Sequence, residues 1–255
     1  MKKLFSSIIC FCLLIVSAFT FAACSSEKVS IDDAADRVEE VQVAQTSFLS
    51  VLTEESVSDS RTPQEQGIMG ATAEGFEMLA FLAYEVVLLD EFDDGKYVPE
   101  ENDNCVITKK GNTYTLAYNE DDITKVVVTS NKDSITLTAD ETNVLKFTLA
   151  KNYLRIDVKM VEGEDVMTNY AEIKTVGNNH YCQLVSVQEE SYNVLYAKYN
   201  FTETEVDDVE TVTINSFAVA AKEGETTEPT SLKNVKDFTN FITGEGVITY
   251  TASAQ

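Results

Sequence analysis

Tyr153-Leu154-Arg155-Ile156-Asp157-Val158-Lys159-Met160 alternates apolar and polar residues without a break. Leu154, Ile156, Val158 and Met160 fall on one side, and Tyr153, Arg155, Asp157 and Lys159 on the other. A period of two is the pattern of a half-buried strand. Just upstream, Leu145, Phe147 and Leu149 alternate with Lys146 and Thr148 in the same way. Further strands are predicted at 105–109, 113–118, 123–129, 134–139, 166–175, 180–187, 191–201 and 209–219. Turn-forming clusters separate them: Lys110-Gly111-Asn112, Asn119 to Asp122, Asn131 to Asp133, Asp140 to Asn143, Lys151-Asn152, Glu162 to Asp165, Gly177 to Asn179 and Gln188 to Ser191. Turns recurring about every eleven residues, with no long connection, predict an antiparallel meander in which sequence neighbours pair.

Upstream of residue 104 the period is 3.6 instead of two. A first helix is predicted to start near Ile31. Ser30 supplies the N-cap, and Asp32, Asp33 and Asp36 put negative charge on the positive helix end. Ala34, Val38, Val41, Phe48 and Leu52 line its apolar side, and polar Glu54 to Arg61 reads as a loop. The second helix opens with Thr62-Pro63-Gln64-Glu65, a capping box with proline at the first helical position. It is apolar around most of its circumference, so Phe76, Leu79, Ala83 and Val86 are all expected to be buried. Gly67, Gly70, Ala71 and Gly75 form a smooth patch where another backbone could pack closely, and Asp93-Asp94-Gly95 ends the helix. At the far end of the chain, Glu223 to Pro229 reads as an acidic loop. Leu232, Val235, Phe238, Phe241 and Ile242 predict a short C-terminal helix stopped at Gly244, and Val247 to Thr251 a final strand.

The expected fold class is α+β. A helical hairpin (31–95) precedes an antiparallel β-meander (104–255) in one domain spanning 31–255. To hide both apolar surfaces, the sheet curls around the helices, or the helices cap an open barrel. This order resembles the half-barrel envelope proteins that carry or bind lipids, such as lipoprotein carriers. The resemblance is architectural and implies a hydrophobic ligand held between helices and a curved sheet.

Composition narrows the chemistry. The 255 residues carry 43 Asp+Glu against 19 Lys+Arg, a formal charge of −24, which excludes a nucleic-acid surface as the main business. His180 is the only histidine, so three-His and two-His zinc sites within one chain are excluded. It opens a strand after a turn and reads as structural. Nucleophile elbow, P-loop and dinucleotide fingerprint are all absent from the sequence. Asp90-x-Phe92-x-Asp94-Gly95 with Glu101 resembles part of a calcium loop, but Phe92 stands at the third ligand position and Pro99 lies inside. The reading is an acidic loop after a helix, with no metal and no cofactor. Eight tyrosines lie on predicted strands. Tyr192, Tyr196 and Lys198 share one face and Tyr199 takes the other, which suits either a ligand platform or ordinary strand packing. Cys105 and Cys182 lie on strands well separated in the meander. A disulfide between them requires the sheet to close or fold over, and two buried free thiols are the simpler expectation.

The first residues give the address. Lys2 and Lys3 precede an uncharged run from Leu4 to Ala23, and Ala22-Ala23 lead into Cys24 and polar Ser25-Ser26-Glu27-Lys28. These are the parts of a secretory signal peptide. Phe21-Ala22-Ala23-Cys24 resembles the lipobox of bacterial lipoproteins, with Phe21 standing where leucine is usual. The resemblance implies cleavage after residue 23 and acylation of Cys24, which becomes the first mature residue. Residues 24–30 are then a short lipidated tether. An ordinary cleaved signal or an uncleaved anchor helix is the alternative reading of the same stretch. Loss of Lys2 and Lys3 takes the formal charge to −26. The expected protein is an extracytoplasmic, non-enzymatic lipoprotein held on the bilayer through Cys24. Its role is expected to be binding or structural, the alternative being a carrier or scavenger of a hydrophobic ligand. It would sit on the cell membrane, or on the outer membrane of a two-membrane host, where Ser25 rather than Asp after the cysteine resembles the export signal.

Overall fold

The computed structural model describes residues 28–97, 106–117, 123–188, 191–206, 209–244 and 246–252. Two long helices come first. Helix α1 (Ile31–Ser56) begins with a capping box in which the Asp33 amide donates to Ser30 Oγ and the Ser30 amide to Asp33 Oδ2. Helix α2 (Pro63–Asp93) begins with the same device built from Thr62 and Glu65, with proline at its first position. Each box satisfies amide donors that have no partner inside the helix. Among the described residues, no helix is long and apolar enough to cross a membrane.

Eleven strands follow: β1 (Val106–Lys110), β2 (Thr113–Ala117), β3 (Ile123–Ser130), β4 (Ser134–Ala139), β5 (Asn143–Ala150), β6 (Tyr153–Glu162), β7 (Asp165–Val176), β8 (Asn179–Gln188), β9 (Ser191–Val206), β10 (Val209–Glu225) and β11 (Ile248–Thr251). They form one antiparallel sheet in sequence order, from β1 to β11. From β1 to β10 the meander is as expected, since each short turn hands the chain to an adjacent strand, and β11 returns to pair with β10 after the 22-residue connection 226–247.

Both helices pack on one face of this sheet and run across its strands. The Val29 amide donates to the Asn131 carbonyl in the β3–β4 turn at 2.8 Å, while Phe48 stacks on Tyr199 of β9 and meets Phe217 of β10 edge-on. Helix α2 starts beside β11, where Arg61 donates to the Thr249 carbonyl at 3.0 Å. It ends over β1 and β2, where Asp93 pairs with Lys109 and accepts from the Tyr114 hydroxyl at 2.7 Å. Its 31 residues span about 46 Å, close to the roughly 48 Å that ten strand spacings cover. One helix is therefore long enough to cover the width of the sheet, and a single core joins the helices to strands from β1 to β11.

The expected burial of Phe76, Leu79, Ala83 and Val86 is observed. Leu154, Ile156 and Val158 also face the helices as their alternation requires, but Met160 is 43% exposed, because α2 does not extend over the β6–β7 turn. The smooth patch on α2 behaves differently from expectation. Nothing approaches Gly67 or Gly70 within 4 Å, and Gly75 alone is closely met, by the Leu184 side chain and not by a backbone.

The short C-terminal helix is a correction. Residues 231–242 form a strap of turns across the opposite face of the sheet. The spacing of Leu232, Val235, Phe238 and Phe241 matches a helix, but these side chains pack on Tyr153 and Tyr181, and Phe241 also meets Tyr196. The strap's backbone makes isolated turn bonds, Asn234 to Ser231, Val235 to Leu232 and Phe241 to Phe238, and its other groups are met by side chains of the sheet. Lys174 Nζ donates to the carbonyls of Leu232 (3.1 Å) and Lys233 (3.2 Å), and the Leu232 amide donates to Glu172 at 2.7 Å.

Candidate functional site

The strap is held by one buried carboxylate. Glu172, on β7, is fully buried and accepts five hydrogen bonds. Tyr153 (2.6 Å), Ser231 (2.7 Å) and Arg155 (3.2 Å) donate to Oε1, while Gln183 (2.6 Å) and the Leu232 amide (2.7 Å) donate to Oε2. Arg155 also pairs with Asp157 and lies over the Tyr170 ring at 3.9 Å. A buried charge costs several kcal/mol unless paired and fully hydrogen-bonded, and here both conditions are met. The tyrosine face, which suited either a ligand platform or ordinary strand packing, is covered by the chain's own strap around Tyr153, Tyr181 and Tyr196. Tyr196 and Lys198 do share that face, and Tyr199 lies on the other.

Tyr199 belongs to an aromatic stack in the helix-side core. It lies between Phe48 (4.2 Å, 8°) and His180 (4.9 Å, 3°). His180 is 2% exposed, and burial pulls it down to about 4, so at neutral pH the ring is uncharged. It is a packing group, as its position after the turn suggested. Cys182 is a fully buried free thiol, and burial pushes its pKa up, away from reactivity. Cys105 and Cys24 lie outside the described residues. So do Pro99 and Glu101 of the partial calcium loop. Its remaining acids, Asp90 and Asp94, sit at the end of α2 near Asp32 and Asp36 of α1, with Phe92 turned toward Tyr114.

The open space in the molecule lies elsewhere, where α2 crosses β7–β10. A hollow of about 380 Å³ opens there between Gly75, Met78, Leu79 and Leu82 of the helix and the sheet. That volume falls within the roughly 300–1,000 Å³ of small-molecule sites. Gly75 makes the hollow's present shape achievable. A Cβ at that position would lie 2.6 Å from Leu184 Cδ1, so any larger residue would displace Leu184.

The floor of the hollow is built from cross-strand rows. Ala171, Leu184, Leu195 and Ala221 are consecutive partners across β7–β10 and form an apolar row. The next row on the same face is polar: Asn169 pairs with Ser186, and Ser186 with Asn193. Glu223 continues that row at the exposed rim, beside an irregularity of β10 between Lys222 and Glu225. There Gly224 adopts φ +66°, which favours glycine, and its amide donates to Asn193 Oδ1 at 2.9 Å. Asn169 Oδ1 is buried with no hydrogen-bond partner. A second hollow, of about 570 Å³, lies at the other edge, where Lys109, Lys110 and Lys125 line it with Thr108, Thr113 and Thr115 and make it polar.

Sequence reasoning did not single out Asn169, Ser186, Asn193 or Glu223. The trace was present in each strand, because the inward-facing positions turn polar two residues from Ala171, Leu184, Leu195 and Ala221. Only the register shows that the changes at Asn169, Ser186 and Asn193 fall at one level, with Glu223 beside them in the irregularity of β10. Comparison with known proteins finds no matching family model, no matching curated protein and no matching solved structure.

Proposed function

We propose that this chain is a lipid-anchored, extracytoplasmic, non-enzymatic binding protein whose hollow between α2 and β7–β10 holds an apolar ligand. Cys24, acylated after cleavage of residues 1–23, is the anchor. The helices form a hairpin in the concave face of a half-barrel sheet. The observation that carries the reading is the hollow itself: an open space walled by Met78, Leu79, Leu82, Leu184 and Leu195 beside the packed core that joins the helices to the sheet. Its location supports ligand entry, because Met78 is 49% exposed and Phe81, one turn on, is 37% exposed. Methionine at the rim suits apolar ligands of varied shape, since its unbranched side chain repacks easily. The only histidine is buried in the stack, which supports a binding role over acid–base chemistry.

The test uses residues 25–255, secreted without the anchor, and the uncharged dye Nile red. Saturable one-to-one binding is expected, and Ala221→Phe should reduce it at least tenfold by filling the hollow. Dye binding that is non-saturable, or unchanged in Ala221→Phe, would sink the proposal.

A further inference from the structure

The hollow has two chemically distinct levels. The Leu184–Leu195 row and the α2 side chains offer only apolar contact, whereas the row about 7 Å away along the strands offers Asn169, Ser186, Asn193 and Glu223. Beyond the polar level, Met160 and Met167 pair across β6–β7 on the same face and are 43% and 41% exposed. An unbranched chain with one polar end fits that order, its tail along the leucines and its head at the polar row.

The polar row also discriminates between heads. Asn169 Oδ1 is a buried acceptor without a donor, and such a group costs free energy until a donor reaches it. Asn193 Oδ1 is already taken by the Gly224 amide. Glu223 adds a negative charge at the rim; its neighbour Lys222 also borders the hollow, but its ammonium lies over the Tyr196 ring on the other face of the sheet, and the chain as a whole is at −24. Acceptors and negative charge favour a head that donates hydrogen bonds and repel one that carries negative charge.

We propose that the ligand of this hollow is a single-chain acyl amphiphile with an uncharged, hydroxyl-bearing head of the monoacylglycerol type, one hydroxyl donating to Asn169 Oδ1 when that side chain turns its buried oxygen toward the hollow. The inference rests on the reading of the hollow as an apolar ligand site and adds its head-group class. A free fatty acid fits the same tail space, but at neutral pH its carboxylate has no donor to give Asn169 and faces Glu223.

The experiment uses the intact, lipid-anchored protein in phospholipid nanodiscs with two diazirine probes of equal chain length, a monoacylglycerol and a fatty acid. After illumination, labelled peptides are mapped by mass spectrometry. The monoacylglycerol is expected to label α2 and β8–β9 at least tenfold more than the fatty acid at equal concentration in the disc. Asn169→Leu should remove that preference while labelling by both probes persists. Glu223→Gln, an exposed change that leaves folding intact, should raise fatty-acid labelling several-fold. Equal labelling of the hollow by both probes in the wild type, or a preference untouched by Asn169→Leu and Glu223→Gln together, overturns the head-group assignment and leaves the apolar site standing. Absence of labelling at the hollow by either probe overturns the site itself.

Discussion

Glu172 shows how much one residue can decide. Its five donors come from β6, β7's neighbour β8, and the strap, so a single carboxylate joins segments sixty positions apart in the chain. Glu172→Gln replaces an acceptor oxygen with a donor that faces existing donors. Leaving buried groups unsatisfied in this way costs about 1–3 kcal/mol for each, so the variant is expected to be about 2–3 kcal/mol less stable by denaturant melting followed by circular dichroism. Proteolysis within 226–242 should accelerate more than cleavage in α1 or α2. Equal acceleration everywhere would mean the carboxylate does not hold the strap specifically. Nothing in the sequence distinguishes Glu172 from the other acids of so acidic a chain, because its partners are assembled only by register and by the returning strap.

At the scale of elements, the two helix ends that meet beside β1 and β2 concentrate like charge. Asp32 and Asp36 of α1 lie near Asp90 and the C-cap Asp94 of α2, with Lys96 as the opposing cation. Partial burial first, then Asp32, Asp94 and Asp36, push Asp90 up to about 6. Burial raises Asp36 and Glu39 as well. A carboxylate raised in the folded state binds a proton there before the unfolded chain does. Between its ordinary value near 4 and about 6, stability therefore falls as pH rises, and the cost is full above 6. Asp90→Asn is expected to raise the melting temperature at pH 7.5 and leave it unchanged near pH 3.5. A variant that melts below wild type at pH 7.5 would show that Asp90 contributes a favourable contact instead. The helices themselves were legible because a Ser30 N-cap with acids in the first turn announces α1, a capping box announces α2, and both keep a 3.6-residue period. The C-terminal segment had the period without a cap, and its apolar residues were taken by the tyrosine face of the sheet.

At the scale of the whole molecule, one sheet carries two covers. Helices close one face across the width of the meander, and the strap closes part of the other, around Tyr153 and Tyr181. Among the described residues, that arrangement leaves an apolar gap where α2 passes over β7–β10. The anchor at Cys24 would keep this gap near a membrane, since the fold begins at Ile31 with only a short tether before it. Cys24→Ala is expected to move the protein from the membrane pellet to the soluble or unprocessed fraction and to abolish incorporation of labelled fatty acid. Unchanged partition with continued labelling would refute acylation at that residue.

The sequence by itself determined the two long helices and the strands of the meander, because period and caps are local properties of neighbouring residues. It determined the order from β1 to β10 as well, since turns this short leave each strand only its neighbour to pair with. Tertiary structure alone decided what lies on each face. Inward-facing residues of β7 to β10 become a polar row only after register aligns Asn169, Ser186 and Asn193. Leu232 to Phe241 becomes a strap only because Glu172 and Lys174 offer its backbone better partners than a helix could. These contacts join residues far apart in the chain, and no local pattern records which distant donor will meet which acceptor.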